Sequence, residues 1–369
     1  MSTVNTSRYQ KQILLPELGE AGQRRLSEAR VLVVGVGGLG CPALLYLVAA
    51  GVGCIGIADF DVVELSNLHR QILYQAGDVG KPKVDVAAEC LLRLNPDLRV
   101  IVFREAIGTE NALEIFSGFD IVVDGSDNFP TRYLANDACV LLDKPLVYGS
   151  VYRFEGQVGI FNVMENGVKT SYRDLFPEPP DPWEVADCNE AGVIGVVPGI
   201  IGAMQANEVI KIITGAGKPL YNRLLTYHAL NNSLHELDIL PHPDASLHAP
   251  KTAEAFQNMD YDWFCQSASD AFSHLSAAEF DAFRSAESPL MLDVRNLDEM
   301  PRVTEFEHLH IPLSELGRNL HRIEKSRPVV IFCQTGVRSI TAANMIAGRL
   351  GHPRVYNLKG GIVQWKTNQ

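Results

Sequence analysis

From residue 30 to residue 150 the chain alternates short runs of branched apolar residues with longer segments of helical periodicity. Residues 30–34 are rich in β-branched types and free of polar interruption after Arg30, which predicts a strand buried on both faces. Residues 54–58, 99–103, 119–124 and 145–148 predict further strands, and residues 20–29, 41–50, 83–94 and 131–142 predict helices. Strand and helix in alternation imply an α/β fold with a doubly wound, mostly parallel sheet, so ligands belong beyond the carboxyl ends of the strands. After Ser150 the pattern changes. Residues 156–162 and 224–229 predict antiparallel strands around a long apolar helix near 198–214. Further on, Ser276-Ala277-Ala278-Glu279 fits a capping box, with strands at 290–295 and 329–332 and a helix at 339–350, a second and smaller α/β unit. The chain thus divides into residues 1–240, a linker at 241–273 that opens with Pro241-His242-Pro243-Asp244, and residues 274–369.

The first predicted strand runs straight into glycines. Gly35, Gly37 and Gly40, with Gly38 between them, fit G-x-G-x-x-G, whose missing side chains permit a tight turn and close approach of backbone to phosphate at the positive end of the next helix. Asp59 follows the second strand at the spacing where a carboxylate reaches a ribose hydroxyl. Taken alone, this fingerprint suits an NAD-dependent oxidoreductase as well as an ATP enzyme. Asp61, then Asn67, Arg70 and Gln71, then Lys83, and then Asp127 and Asn128 shift the balance. Arg70 and Lys83 beside a glycine loop look like clamps on a triphosphate. Asp127, at the end of a strand, suits a magnesium ion bridging phosphate oxygens.

This combination resembles the ThiF/MoeB/HesA family, bacterial relatives of the ubiquitin-activating enzymes, which adenylate the C-terminal glycine of a small ubiquitin-like sulfur carrier. The likeness runs from Arg8-Tyr9-Gln10-Lys11-Gln12 to about Leu240. It implies a Rossmann-like ATP-binding domain in which Asp59 binds ribose, Asn67, Arg70 and Lys83 bind phosphates, and Asp127 holds magnesium. It also implies a homodimer in which an arginine near the N-terminus enters the neighbour's site. Here the matching position is Lys11, which keeps the charge without the bidentate fork, and Arg8 is a nearby alternative. Many relatives bind structural zinc through two C-x-x-C pairs. This chain reads Ser171-Tyr172-Arg173-Asp174 at the first and has no cysteine pair after Leu240, so no zinc is expected and the packing there must be secured otherwise. The proline-rich stretch from Pro177 to Pro182 predicts a loop leading to Cys188, which the resemblance makes a candidate for an acyl-disulfide or thioester link to the carrier.

Cys333 stands directly after a predicted strand, in Cys333-Gln334-Thr335-Gly336-Val337-Arg338-Ser339. The loop N–H groups, the following helix N-terminus and Arg338 all favour an anion at its sulfur. With Asp293-Val294-Arg295 and the stretch from Leu358 to Trp365, the loop resembles a rhodanese domain, which implies a cysteine persulfide at Cys333. Dual-specificity phosphatases use a similar loop with one more residue; five residues separate Cys333 from Ser339, as in the sulfur-carrying form.

Composition adds limits. A formal charge of −12 argues against general nucleic-acid binding, and no signal-peptide-like or unbroken apolar stretch is seen, so a cytoplasmic chain without membrane attachment is expected. Seven scattered cysteines make no disulfide framework, and His242 and His248 read as solvated surface rather than metal ligands. The resulting expectation is an adenylyltransferase joined to a sulfurtransferase. ATP and Mg2+ would activate the glycine of a carrier ending in Gly-Gly, a donor such as a cysteine desulfurase would load Cys333, and a thiocarboxylate would form for molybdopterin, thiamin or tRNA thiolation. The lost zinc cysteines and Lys11 motivate one rival, a carrier-binding pseudo-enzyme or scaffold with only sulfurtransferase activity.

Overall fold

The computed structural model describes residues 6–177, 192–261, 272–297 and 299–367. Those up to Tyr261 form one compact unit and those from Phe272 onward a second.

In the first unit β1 (Arg30–Val34), β2 (Cys54–Ala58), β3 (Arg99–Phe103), β4 (Ile121–Asp124), β5 (Leu146–Tyr152), β6 (Glu155–Phe161), β7 (Arg223–His228) and β8 (Ser233–Asp238) make one eight-stranded sheet in the order β3-β2-β1-β4-β5-β6-β7-β8. Neighbours from β3 to β5 are parallel, and those from β5 to β8 antiparallel. The antiparallel part is therefore an extension of the doubly wound sheet. It grows from β5, which runs four residues past the predicted end and turns tightly at Arg153, with φ of 54°, into β6. Register puts Val34 beside both Ala58 and Asp124, so β1, β2 and β4 end together. Strand order reverses at β1, and the crevice above such a reversal is where α/β sheets hold ligands.

Two apolar helices cover this centre. Gly40–Ala50 buries Cys41, Leu44, Leu47 and Val48, and packs on Val196–Thr214, where a Cβ on Gly202 would stand 2.3 Å from the Leu39 carbonyl oxygen. Val196–Thr214 is long and apolar enough to cross a membrane by composition, yet it is a core helix, with Val197, Ile201, Ala206 and Val209 buried. Each buried Val, Leu and Ile here contributes about 1.5–3 kcal/mol of apolar burial, so the helix pair anchors the glycine turn.

The stretch from Pro241, expected to be linker, is packed on this unit as far as Tyr261. Thr252 caps a short helix, Ala253–Gln257, Phe256 is fully buried, and the Tyr261 hydroxyl donates to Asp137 Oδ2 at 2.7 Å.

The second unit is a five-stranded sheet in which every pairing is parallel. It consists of β9 (Ser273–Leu275), β10 (Leu290–Asp293), β11 (Leu309–His310), β12 (Val329–Phe332) and β13 (Val355–Leu358), in the order β11-β10-β12-β13-β9. Alternate residues of β10 and β12 feed two apolar clusters. Leu292 and Ile331 pack in one with Ala342 and Ile346, and Met291, Val330 and Phe332 in the other with Phe280 and Trp365. The predicted capping box forms, with Ser276 N donating to the Glu279 carboxylate at 2.8 Å.

Candidate functional site

The glycine turn above β1 is built by exclusion of side chains. Gly35 has φ of +87°, and a Cβ there would lie 2.8 Å from the Gly125 carbonyl oxygen; a Cβ on Gly40 would lie 2.0 Å from the Gly35 carbonyl oxygen. Both positions therefore demand glycine. On Gly37 a Cβ would meet only Gln71 Nε2, at 3.7 Å, so that side of the residue is uncrowded.

Asp59, following β2, ties the turn to its surroundings. Its Oδ2 accepts from Val36 N at 2.8 Å and its Oδ1 from Asp61 N at 2.9 Å. Burial pushes the Asp59 carboxyl above the ordinary aspartate range, outweighing Lys83 and these two donors. Lys83 opens the helix Lys83–Leu94 and is buried, its Nζ 2.8 Å from Asp61 Oδ2 while Asp61 itself is exposed. The ammonium is thus held at the crevice by a carboxylate that is itself open to solvent.

The segment after Asp61 supplies the other cation. Asn67 is buried and spends its Oδ1 on the Glu64 N–H at 3.2 Å, which closes the turn carrying Arg70. Arg70 Nη1 donates to the Ser66 carbonyl at 3.1 Å, and its Cγ stands 3.5 Å from where a Gly38 Cβ would be. Gln71 is buried, and its Oε1 has no partner among the described residues.

At the end of β4, Asp124 is fully buried, its Oδ1 accepting from Ser126 N at 2.9 Å and Ser126 Oγ at 2.6 Å. This bend presents Asp127, which is exposed. Asn128, read from the sequence as a nucleotide contact, is the N-cap of the helix Phe129–Leu142, its Oδ1 accepting from Thr131 N at 2.9 Å. That oxygen is committed to the helix. Two buried groups escaped the sequence reading. Gln205 Nε2 donates to the carbonyls of Asp124 at 2.7 Å and Val147 at 3.2 Å, fastening β4 and β5 to Val196–Thr214, and Tyr74 reaches back to the glycine turn.

On the N-terminal helix Thr6–Ile13, Arg8 donates to the Leu94 carbonyl oxygen of its own chain, whereas Lys11 is exposed. Cys188 lies outside the described residues.

In the second unit Cys333 follows β12 and is buried. Its Sγ accepts from Gly336 N at 3.2 Å and Ser339 Oγ at 3.4 Å, at the start of the helix Val337–Gly348. The loop is clamped from behind by Gly361, whose φ is +65°. A Cβ there would stand 2.6 Å from the Cys333 carbonyl oxygen, which accepts from Ile362 N at 2.9 Å. Arg338, expected to serve the sulfur, lays its two terminal nitrogens on the Glu299 carboxylate at 2.5 and 2.6 Å and draws that carboxyl down to about 2. Glu299 left no signal in the sequence. Arg295 binds both oxygens of buried Asp293 and also the Pro301 carbonyl, bracing the neighbouring loop. Among the described residues Asp293, His308 and His310 are grouped as metal ligands would be, but both Asp293 oxygens are already taken by Arg295.

Comparisons with known proteins agree in both halves. Residues 9–249 match the ThiF family model and residues 276–368 the rhodanese-like domain model. The chain is 39% identical to the probable adenylyltransferase/sulfurtransferase MoeZ of Mycobacterium tuberculosis, across 99% of this chain and 94% of that protein. It is 49% identical to the sulfur carrier protein adenylyltransferase of Thermus thermophilus, across 70% of this chain and 96% of the relative. In fold it is similar to the crystal structure of Escherichia coli MccB with ATP, with a TM-score of 0.56 and 24% identity over 66% of this chain and 75% of that one.

Proposed function

The chain belongs to the ThiF family and carries a C-terminal rhodanese-like domain, and from that premise we propose that it adenylates the terminal glycine of a ubiquitin-like sulfur carrier and then delivers sulfur to it from Cys333. The observation that carries the reading is the crevice at the ends of β1, β2 and β4, where an open glycine turn meets Asp59, Lys83, Arg70 and Asp127.

A carboxylate is a poor electrophile at neutral pH. In the proposed first step a carrier carboxylate oxygen attacks the α-phosphorus of ATP, the bond to the bridging oxygen of the β-phosphate breaks, and pyrophosphate leaves. Lys83 and Arg70 stabilise charge on the phosphates, and the turn N–H groups position them. Asp127 fits magnesium by donor type, since its exposed carboxylate accepts no hydrogen bond from a described residue and a lone carboxylate plus phosphate oxygens is the set this ion prefers. The ion when bound would neutralise phosphate charge.

In the second step the outer sulfur of a Cys333 persulfide attacks the acyl carbon and AMP leaves, giving an acyl disulfide. An external thiol then attacks the Cys333 sulfur; the thiocarboxylate departs, and a second external thiol reduces the mixed disulfide left on Cys333. Joining both activities in one chain raises the effective concentration of donor near acceptor. In a dimer we assign the cation entering a neighbour's site to Lys11, because Arg8 donates to the Leu94 carbonyl of its own chain.

Cys333→Ala separates the steps. It should leave carrier-dependent ATP–pyrophosphate exchange within about twofold of wild type and abolish thiocarboxylate formation, because Cys333 lies in the other unit. Equal loss of both would count against the scheme.

A further inference from the structure

The peptide joining Val36 to Gly37 is gripped from one side. Its carbonyl oxygen accepts from the Tyr74 hydroxyl at 2.8 Å and from Cys41 Sγ at 3.4 Å, and Val36, Tyr74 and Cys41 are all buried. A trans peptide is planar with its C=O and N–H opposed, so a carbonyl drawn inward turns the Gly37 N–H outward. That N–H donates to no described residue, and on the Cβ side of Gly37 only Gln71 Nε2 comes within 4 Å, at 3.7 Å. The preceding peptide is fixed as well, by Val36 N on Asp59.

A glycine on one side of a peptide makes its rotation inexpensive, so the orientation needs a device to hold it. Tyr74 is such a device. Its backbone N–H donates to the Gln71 carbonyl at 3.2 Å, so the turn that carries Arg70 and Gln71 also carries the hydroxyl that sets the glycine loop. Burial pushes the Tyr74 phenol above its ordinary range, which keeps it protonated and a donor at every physiological pH.

We propose that Tyr74 is a positioning residue for nucleotide phosphate, its hydroxyl locking the Val36–Gly37 peptide so that the Gly37 N–H is presented to a phosphate oxygen. This rests on the ATP reading above. It differs from a general packing role because the aromatic ring could fill the core without the hydroxyl, and of the Tyr74 side chain it is the hydroxyl that donates to the carbonyl.

Tyr74→Phe in the full chain isolates the oxygen. Calorimetry with ATP and magnesium should show about tenfold weaker binding than wild type, the size of one hydrogen bond to a charged group, while adenosine, which has no phosphate, binds within twofold. In pyrophosphate exchange the KM for ATP should rise with kcat nearly unchanged, and ATP should protect the amides of residues 35–40 from hydrogen exchange less than in wild type. Equal weakening of ATP and adenosine would assign Tyr74 to packing and overturn the inference, as would unchanged ATP affinity in a variant of an active wild type. If wild-type protein bound no ATP, the adenylation reading would fall and this inference with it.

Discussion

Arg173 lays Nε and Nη2 on the two oxygens of Asp137, at 2.8 and 2.7 Å, with both side chains buried. The Tyr261 hydroxyl completes the shell of that carboxylate, so the pair joins the helix Phe129–Leu142, the segment at Tyr172–Leu175 and the end of the stretch following Pro241. By the resemblance drawn from the sequence, Arg173 falls where a C-x-x-C pair would be expected. An ionic clasp thus fastens these three segments together. Removing one partner of a buried pair leaves the other charge uncompensated, a cost of about 3–5 kcal/mol. Arg173→Ala should lower the melting temperature of the first unit by many degrees, while incubation with a chelator should leave wild type unchanged. A melting point that falls with chelation would show that a metal does the fastening.

With Asp59 as the ribose ligand of the proposed function, nucleoside binding should depend on pH. The Asp59 carboxyl is raised above the ordinary 3.8 by burial, and its charged form accepts the Val36 N–H. A ligand that prefers the charged form binds with constant affinity above the raised value and loses affinity as pH falls through it. Adenosine, unlike ATP, brings no phosphate titration of its own. Its affinity should fall between pH 7 and acid at a pH above that of an exposed aspartate, and Asp59→Asn should flatten the curve and weaken binding about tenfold at pH 7. A wild-type curve as flat as the variant's would remove Asp59 from the ribose site.

Glu299 and Arg338 give the second unit an acid sensitivity of opposite kind. The Glu299 carboxyl is depressed from 4.5 to about 2, chiefly by its bonds to Arg338. A depressed carboxyl contributes stability that is fully present above its unfolded value and is lost as pH falls through the folded one. Glu299→Gln should therefore be less stable than wild type at pH 7, and the gap should close between about pH 4.5 and 2. Denaturation of both proteins across that range would show it, and a gap independent of pH would mean the pair is held by shape rather than charge.

The strands at 54–58 and 99–103 and the helix at 83–94 were legible to the residue, because each is an apolar or amphipathic run of the right period with punctuation at both ends. β8 was not. Ser233–Asp238 is a largely exposed edge strand whose pattern is polar and whose pairing partner, β7, supplies the order. The docking of residues up to Tyr261 was hidden because its anchors, Phe256 and Tyr261, are isolated aromatics, and Asp137 lies 124 positions away from Tyr261. Glycines and charged residues of the nucleotide crevice stand in short motifs and could be read. Gln205 and Tyr74 act through hydrogen bonds spanning 81 and 38 positions, which no local pattern announces. Asn128 has a structural duty that its motif conceals, since asparagine directly before a helix is as good a cap as a ligand.

The central claim is that this crevice makes a peptide carboxylate reactive. Purified full-length chain should be mixed with ATP, magnesium and small β-grasp proteins ending in Gly-Gly, and the carriers examined by intact-mass spectrometry for a C-terminal AMP adduct. One or more carriers should gain the adduct with wild type and none with Lys83→Ala. Failure of wild-type protein to adenylate any carrier, with nucleotide demonstrably bound, would contradict the account.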